Sequence, residues 1–304
     1  MEIKDIYRSG QIFSLLASTL FLFSIGMACI TDYGEEHMFI SSGDQKYFLN
    51  EPDEKFILPG RLEEISGLDY LGDHILLCIE DENGILYFYN TKEKKVTREI
   101  KFAGSGDYEG VTHIGNTAYV IRSDGVLYKF PIDRDNDSDA EKIETPFRAS
   151  NEIEGLTVGH DKNELYLACK ENPAIENNKA EGRAVYAFDL TNRKPKTQPI
   201  IQMTSEFFGE AMKNMNLKPS HFMPYKPSGI TIHPISGDAF ILGSVGKLLI
   251  VLNKKGKIID AAPLSRKIYF QPEGICFDES GKLYISSEGG GKDGYILAFN
   301  PSED

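Results

Sequence analysis

Ile153-Glu154-Gly155-Leu156 has four near copies elsewhere in the chain: Ile65-Ser66-Gly67-Leu68, Tyr108-Glu109-Gly110-Val111, Pro227-Ser228-Gly229-Ile230 and Pro272-Glu273-Gly274-Ile275. After each comes a polar turn and then an apolar run, at residues 75–79, 118–121, 165–169, 239–242 and 283–286. A further run rich in β-branched and aromatic residues follows, at 85–89, 126–130, 185–189, 248–252 and 295–299. Short apolar runs of this composition, bounded by turn residues, read as strands. A unit of roughly 40 to 45 residues built from antiparallel strands is the period of a β-propeller blade.

The motif glycines count the blades. Gly110 follows Gly67 by 43 residues, Gly155 follows Gly110 by 45, Gly229 follows Gly155 by 74 and Gly274 follows Gly229 by 45. The long interval is too short for another full blade and too long for a turn, so it reads as an insertion. Within it, Phe207, Phe208, Ala211, Met212 and Met215 recur at helical spacing over residues 205–217, with Ser205 placed to cap the start. The expected fold is all-β: a five-bladed propeller with a short helical insertion between blades 3 and 4. Six blades would follow only if the insertion hid a degenerate one. The last repeat ends soon after its third strand, so a strand from the N-terminal side, at residues 47–49 or 55–58, is expected to complete it and remove the exposed edge.

Before the repeats, Lys4 and Arg8 precede an apolar or small stretch over residues 12–26 that ends in Gly26-Met27-Ala28-Cys29. A basic region, a short apolar region and a small residue before the cut form a secretory signal layout, too short for a stable membrane span. Residues 1–28 are therefore expected to be a signal peptide. Cys29 directly after Ala28 resembles a bacterial lipobox, which makes Cys29 the candidate acylated N-terminus of an exported lipoprotein facing the periplasm or the cell surface. Gly26 and Met27 depart from the usual lipobox residues. Residues 29–45, polar and acidic, read as a tether, and 46–304 as the propeller domain.

The formal charge of −13 argues against nucleic acid, whose phosphates need a basic surface. It suits cations, basic partners or simple solubility. Cys78, Cys169 and Cys276 fall in predicted core strands, where cysteine packs as a small apolar residue. The six histidines lack zinc-ligand spacing. Asp133 to Asp139 imitates the opening of a calcium loop, but Ser138 stands where the turn glycine belongs and the flanks look like strands, so it reads as a hairpin turn. Gly289-Gly290-Gly291 has no helix after it and reads as a turn rather than a phosphate cradle.

Stacking the repeats places Ser66, Glu109, Glu154, Ser228 and Glu273 in one column at the start of the channel-lining strands. The ends of the second strands reach the same face, which adds Glu80, Lys170 with Glu171, and Glu288. Carboxylates crowded there either rise in pKa or recruit a cation. Glu109, Glu154 and Glu273 are the candidate metal ligands. Glu80, Lys170, Glu171, Glu288, Ser66 and Ser228 form a second tier, with Lys170 as charge partner. Calcium suits such a site better than magnesium because it accepts six to eight oxygens in flexible geometry. Backbone N–H groups and Lys170 offer the alternative of satisfying the glutamates with no ion.

The run from Ile153 through Lys170-Glu171-Asn172-Pro173, and that from Pro272 through Glu288, resemble the SdiA-regulated, YjiK-like family over residues 47–300. That resemblance implies a five-bladed fold, similar to NHL-repeat propellers, and a calcium ion; it implies no particular reaction. The leading expectation is thus an exported, calcium-binding interaction module, monomeric and membrane-attached through Cys29, whose partner at the channel face is a protein or a small molecule. The alternative is a calcium-dependent hydrolase, a lactonase or phosphoesterase, since propellers related to gluconolactonase carry a catalytic calcium at this mouth. The metal would then polarise a carbonyl or phosphoryl oxygen and a second-tier carboxylate would act as base. No nucleophile elbow or serine triad signature is present.

Overall fold

Runs such as Ile75-Leu76-Leu77-Cys78-Ile79 are apolar at every position rather than at alternate ones. A strand of that kind is stable only where both faces of its sheet are covered. The computed structural model describes residues 39–133, 140–176, 178–209 and 225–303, and in it every blade is sandwiched between two others.

The described chain enters through a hairpin, β1 (Phe39–Ser42) and β2 (Gln45–Phe48), followed by β3 (Glu54–Ile57). Blade 1 is β4 (Ile65–Gly72), β5 (Ile75–Glu80), β6 (Ile85–Asn90) and β7 (Lys95–Lys101). Blade 2 is β8 (Tyr108–Ile114), β9 (Thr117–Arg122), β10 (Leu127–Pro131) and β11 (Glu141–Ile143). Blade 3 is β12 (Ile153–Val158), β13 (Glu164–Cys169) and β14 (Arg183–Asp189), with β15 (Lys194–Pro195) and β16 (Ile201–Met203) sharing the outer edge of β14. Blade 4 is β17 (Lys226–Ile232), β18 (Ala239–Val245), β19 (Leu248–Leu252) and β20 (Ile258–Pro263). Blade 5 is β21 (Gln271–Phe277), β22 (Leu283–Glu288) and β23 (Tyr295–Phe299), completed on its outer edge by β3; β24 (Ser302–Glu303) ends the chain beside β2.

The inner strands touch in the order β4, β8, β12, β17, β21 and back to β4. Five hydrophobic clusters lie one at each junction between blades, for example Leu77, Phe88, Val120 and Tyr128 between blades 1 and 2. Five junctions closing on themselves make five blades, as the glycine spacing predicts.

Closure uses β3 and not residues 47–49. Phe56 is buried in the junction between blades 5 and 1, and Ile296 of β23 pairs with it. Tyr47 belongs instead to the hairpin, and its hydroxyl donates to the Gly281 carbonyl at 2.7 Å. It also meets His233 Nε2 at 2.8 Å and Gln45 Oε1 at 3.0 Å. His233 Nδ1 accepts the Ser236 N–H at 3.1 Å, so the ring proton sits on Nε2 and the imidazole is neutral. The hairpin also shortens the tether expected through residue 45: Ile40 is fully buried, so the described chain is packed from β1 onward.

Cys78, Cys169 and Cys276 are buried free thiols. Of the insertion, residues 205–209 are helical, and the cap is Thr204 rather than Ser205: Thr204 Oγ1 accepts the Phe207 N–H at 3.3 Å. The remainder of that predicted helix, the centre of the Asp133–Asp139 turn, the signal segment and Cys29 lie outside the described residues. Among the described residues no helix is long and apolar enough to cross a membrane.

Candidate functional site

The motif glycine is expected, from its place at the start of each unit, to ease the chain into a turn. Its role is different. None of the five has a positive φ; they are small because the next blade leaves no room. A Cβ on Gly229 would lie 2.5 Å from the Glu273 carbonyl oxygen, one on Gly110 2.7 Å from Leu156 Cβ, and one on Gly274 2.7 Å from Leu68 Cβ. Each glycine is where one inner strand meets the next around the ring.

The residue before each glycine is displaced by a β-bulge. The pairing register jumps from Ile65 to Gly67, Tyr108 to Gly110, Ile153 to Gly155, Pro227 to Gly229 and Pro272 to Ile275. A bulged residue has no cross-strand partner and its side chain is re-aimed. The same irregularity in all five blades brings Ser66, Glu109, Glu154, Ser228 and Glu273 around one space. Below them Leu68, Val111, Leu156, Ile230 and Ile275, all buried, plug the channel. The space between rim and plug is about 10 Å³, the room of a single water or ion and no more.

The two serines brace the ring. Ser66 Oγ donates to the Tyr108 carbonyl at 2.7 Å and Ser228 Oγ to the Pro272 carbonyl at 2.9 Å, each reaching the residue just before the next blade's glutamate. The three glutamates carry the charge. Burial, and then repulsion from Glu154, Asp107 and Glu273, pushes Glu109 up to about 10. Glu273 is raised well above the usual carboxylate range by burial, with Glu154 and Glu288 repelling it. Burial also raises Glu154, to about 7, against the attraction of Lys170. Lys170 Nζ donates to Glu154 Oε1; burial works to lower that ammonium, and Glu154 and its neighbours outweigh it, leaving it raised.

The second tier divides. Glu288 joins the mouth: Gln271 Nε2 donates to it at 2.6 Å, and burial with repulsion from Asp81 and Glu64 holds it at about 7. Glu80 is spent on its own hairpin, accepting the Asn83 N–H at 2.8 Å and the Glu82 N–H at 3.0 Å. Glu171 leaves the channel for ion pairs with Lys226 and, at 3.2 Å, with Arg183.

An outer polar ring was not foreseen: Glu64, Asp107, Glu152, Lys226 and Gln271, each two residues before the motif residue. It perturbs the groups just described, Glu64 acting on Asp81 and Asp107 on Glu109. The signal was available, because the same stacking of repeats that aligns the motif residues aligns the polar residue two positions before each.

Four four-stranded sheets and one of five strands around a plugged, acid-rimmed channel define a five-bladed β-propeller. The model of the SdiA-regulated family matches residues 53–290, and the chain belongs to that family. No curated protein matches it. Among solved structures it is similar to a luciferin-regenerating enzyme, with 11% identity over 82% of this chain and 95% of that one at a TM-score of 0.52. A Myxococcus xanthus glutaminyl cyclase shares 10% identity over 83% and 96% of the two chains, TM-score 0.53. The PQQ-bound aldose sugar dehydrogenase of Streptomyces coelicolor shares 13% over 86% and 100%, TM-score 0.51. Likenesses at these identities establish the fold alone.

Proposed function

We propose that this propeller is a binding module that takes a calcium ion at the channel mouth and meets its partner at the polar rim around it. The observation that carries the reading is a charge imbalance: Glu109, Glu154 and Glu273 surround an ion-sized space, and among the described residues Lys170 is the cation bonded to them, with Lys247 within electrostatic reach of Glu273. At neutral pH such a group must keep protons or take up a second cation.

The donors fit calcium in kind, being carboxylate oxygens. As placed, no three acidic, His or Cys side chains among the described residues stand close enough to share one ion, and Lys170 already bonds Glu154. The fit is therefore one of chemistry and charge. Glu109, Glu154 and Glu273 would hold the ion, which would neutralise them and present a Lewis acid to an oxygen on the partner.

Between the glutamates the space of about 10 Å³ takes an ion and no organic group, so a partner or substrate would meet the ion from the open side of the mouth. The leader completes the proposal: acylation of Cys29 would hold the module at a membrane on the exported side.

Calcium added to chelator-stripped protein is expected to raise its melting temperature, with Glu109→Gln and Glu273→Gln abolishing the response. An unchanged melt at saturating calcium, with none found by elemental analysis, refutes the ion. Turnover of a lactone or phosphate ester that Glu154→Gln abolishes without unfolding would replace the binder by the enzyme. Membrane association unaltered by Cys29→Ser would remove the anchor.

A further inference from the structure

Between blades 1 and 2 the structure holds a cavity of about 580 Å³, within the range of pockets that take small organic ligands. It shares β8 with the channel mouth, Tyr108 lining the cavity and Glu109 the mouth. In a chain of net charge −13, the described residues that line this cavity include Lys101, Arg122 and Lys142 and no carboxylate.

The walls are rigid. Phe102, Tyr108 and Tyr128 form an aromatic floor, with ring centroids 5.0 Å apart for Phe102 and Tyr108 and 5.4 Å for Tyr108 and Tyr128. These rings are almost wholly buried, so the floor gives shape and little apolar surface. The Tyr108 hydroxyl donates to the Gly104 carbonyl at 2.9 Å. Arg122 is held by Asp124 at 2.7 Å and donates from Nη1 to the Tyr128 hydroxyl at 2.9 Å. The nearby Glu141 is paired with Arg193 at 2.6 Å. Lys101 and Lys142 are different: both are exposed and neither has an ion-pair partner among the described residues. Lys142 Nζ stands 5.7 Å from the centroid of the Tyr128 ring.

The geometry points to a binding site for a small hydroxylated organic anion, a phosphate or carboxylate carried on a sugar or polyol, with its anionic group between Lys101 and Lys142. The two unpaired ammonium groups select for negative charge, because a charge-assisted hydrogen bond is stronger than a neutral one. The polar surroundings, including the Ser105 hydroxyl and the carbonyls of its loop, select hydroxyl groups over hydrocarbon. The size excludes a bare ion as the best occupant.

Calorimetry on the whole protein with glucose 6-phosphate, gluconate, inorganic phosphate and glucose tests this. The chain has no tryptophan, so the fluorescence of its tyrosines, two of which floor the cavity, is a second readout. At least one of the two sugar anions is expected to bind about tenfold or more tightly than glucose and than inorganic phosphate, and the double variant Lys101→Glu, Lys142→Glu to lose that margin. Whether the phosphate or the carboxylate binds better identifies the anionic group. Both lysines are exposed, so the variant should melt like the wild type; if it melts lower, Lys101→Gln, Lys142→Gln takes its place. The inference is overturned if glucose binds as well as either anion, or if inorganic phosphate alone matches both sugar anions. Binding that survives the double variant, or no saturation by any probe at millimolar concentration, overturns it as well.

Discussion

Replacing Glu109 by glutamine removes an ionisable group from the channel mouth while keeping the shape of the side chain. In the fold this carboxyl is pushed from 4.5 up to about 10. Between those values the folded protein holds a proton that the unfolded chain has released, so stability is lost as pH rises through the window. At pH 7 the window already crossed corresponds to about 3 kcal/mol, at 1.36 kcal/mol per pH unit. Glu109 is only partly buried, and screening by water reduces this to about 1–2 kcal/mol. Glutamine has no proton to lose, so Glu109→Gln should melt about 3–6 °C above the wild type at pH 7 in chelator. At pH 4.5, where the unfolded chain also holds much of its proton, the two should nearly converge. In saturating calcium the wild type should gain and the variant should not. Thermal melts at the two pH values, with and without calcium, read all of this. A variant that melts at or below the wild type at pH 7 in chelator refutes the claim that these carboxylates are held together at a cost.

Lys170→Met should cost about 2–3 kcal/mol at pH 8 and much less at pH 5, where Glu154 is protonated, and calcium should restore part of the loss; denaturant titrations at the two pH values measure it. Gly229→Ala, which drives a Cβ against the Glu273 carbonyl, should cost about 2–3 kcal/mol, whereas Gly104→Ala, with nothing within 4 Å, should be nearly neutral. Phe56→Ala should destabilise the closing strand by about 3–5 kcal/mol, visible as a lower denaturation midpoint. Burial holds the His233 imidazole down at about 4, so its contribution is lost as pH falls from 6.5 toward 4. His233→Asn should therefore narrow the gap to wild type as pH drops, in melts between pH 7 and 4.

Much of the fold is legible in the chain because a propeller repeats its local solution. Each blade needs a strand, a turn and a strand of the same kind, and runs such as 165–169 and 239–242 announce both-face burial in their composition. Other features depended on neighbours far away in sequence. The glycine of Glu154-Gly155 looks like a turn residue in isolation, and only the approach of Ile230 from blade 4, 2.9 Å from its would-be Cβ, reveals a packing constraint. Phe39 to Gln45 looks like a polar linker because Ile40 and Tyr47 are covered by blades some two hundred residues onward. Glu80 and Glu171 stack with the channel glutamates by position, yet Asn83 and Lys226 claim them first.

The chain's own local chemistry settled the three inner strands of each unit and the five-fold count, since these follow from composition and spacing over a few residues, whereas the outer strands needed the structure. Tertiary closure decided which carboxylates meet. The bulge before each glycine, the hydroxyl bridges of Ser66 and Ser228 and the plug of Leu68, Val111, Leu156, Ile230 and Ile275 exist only once five blades share one axis. It is that shared axis, desolvating three glutamates around the room of a single ion, that turns a repeated Glu-Gly pair into a charged site.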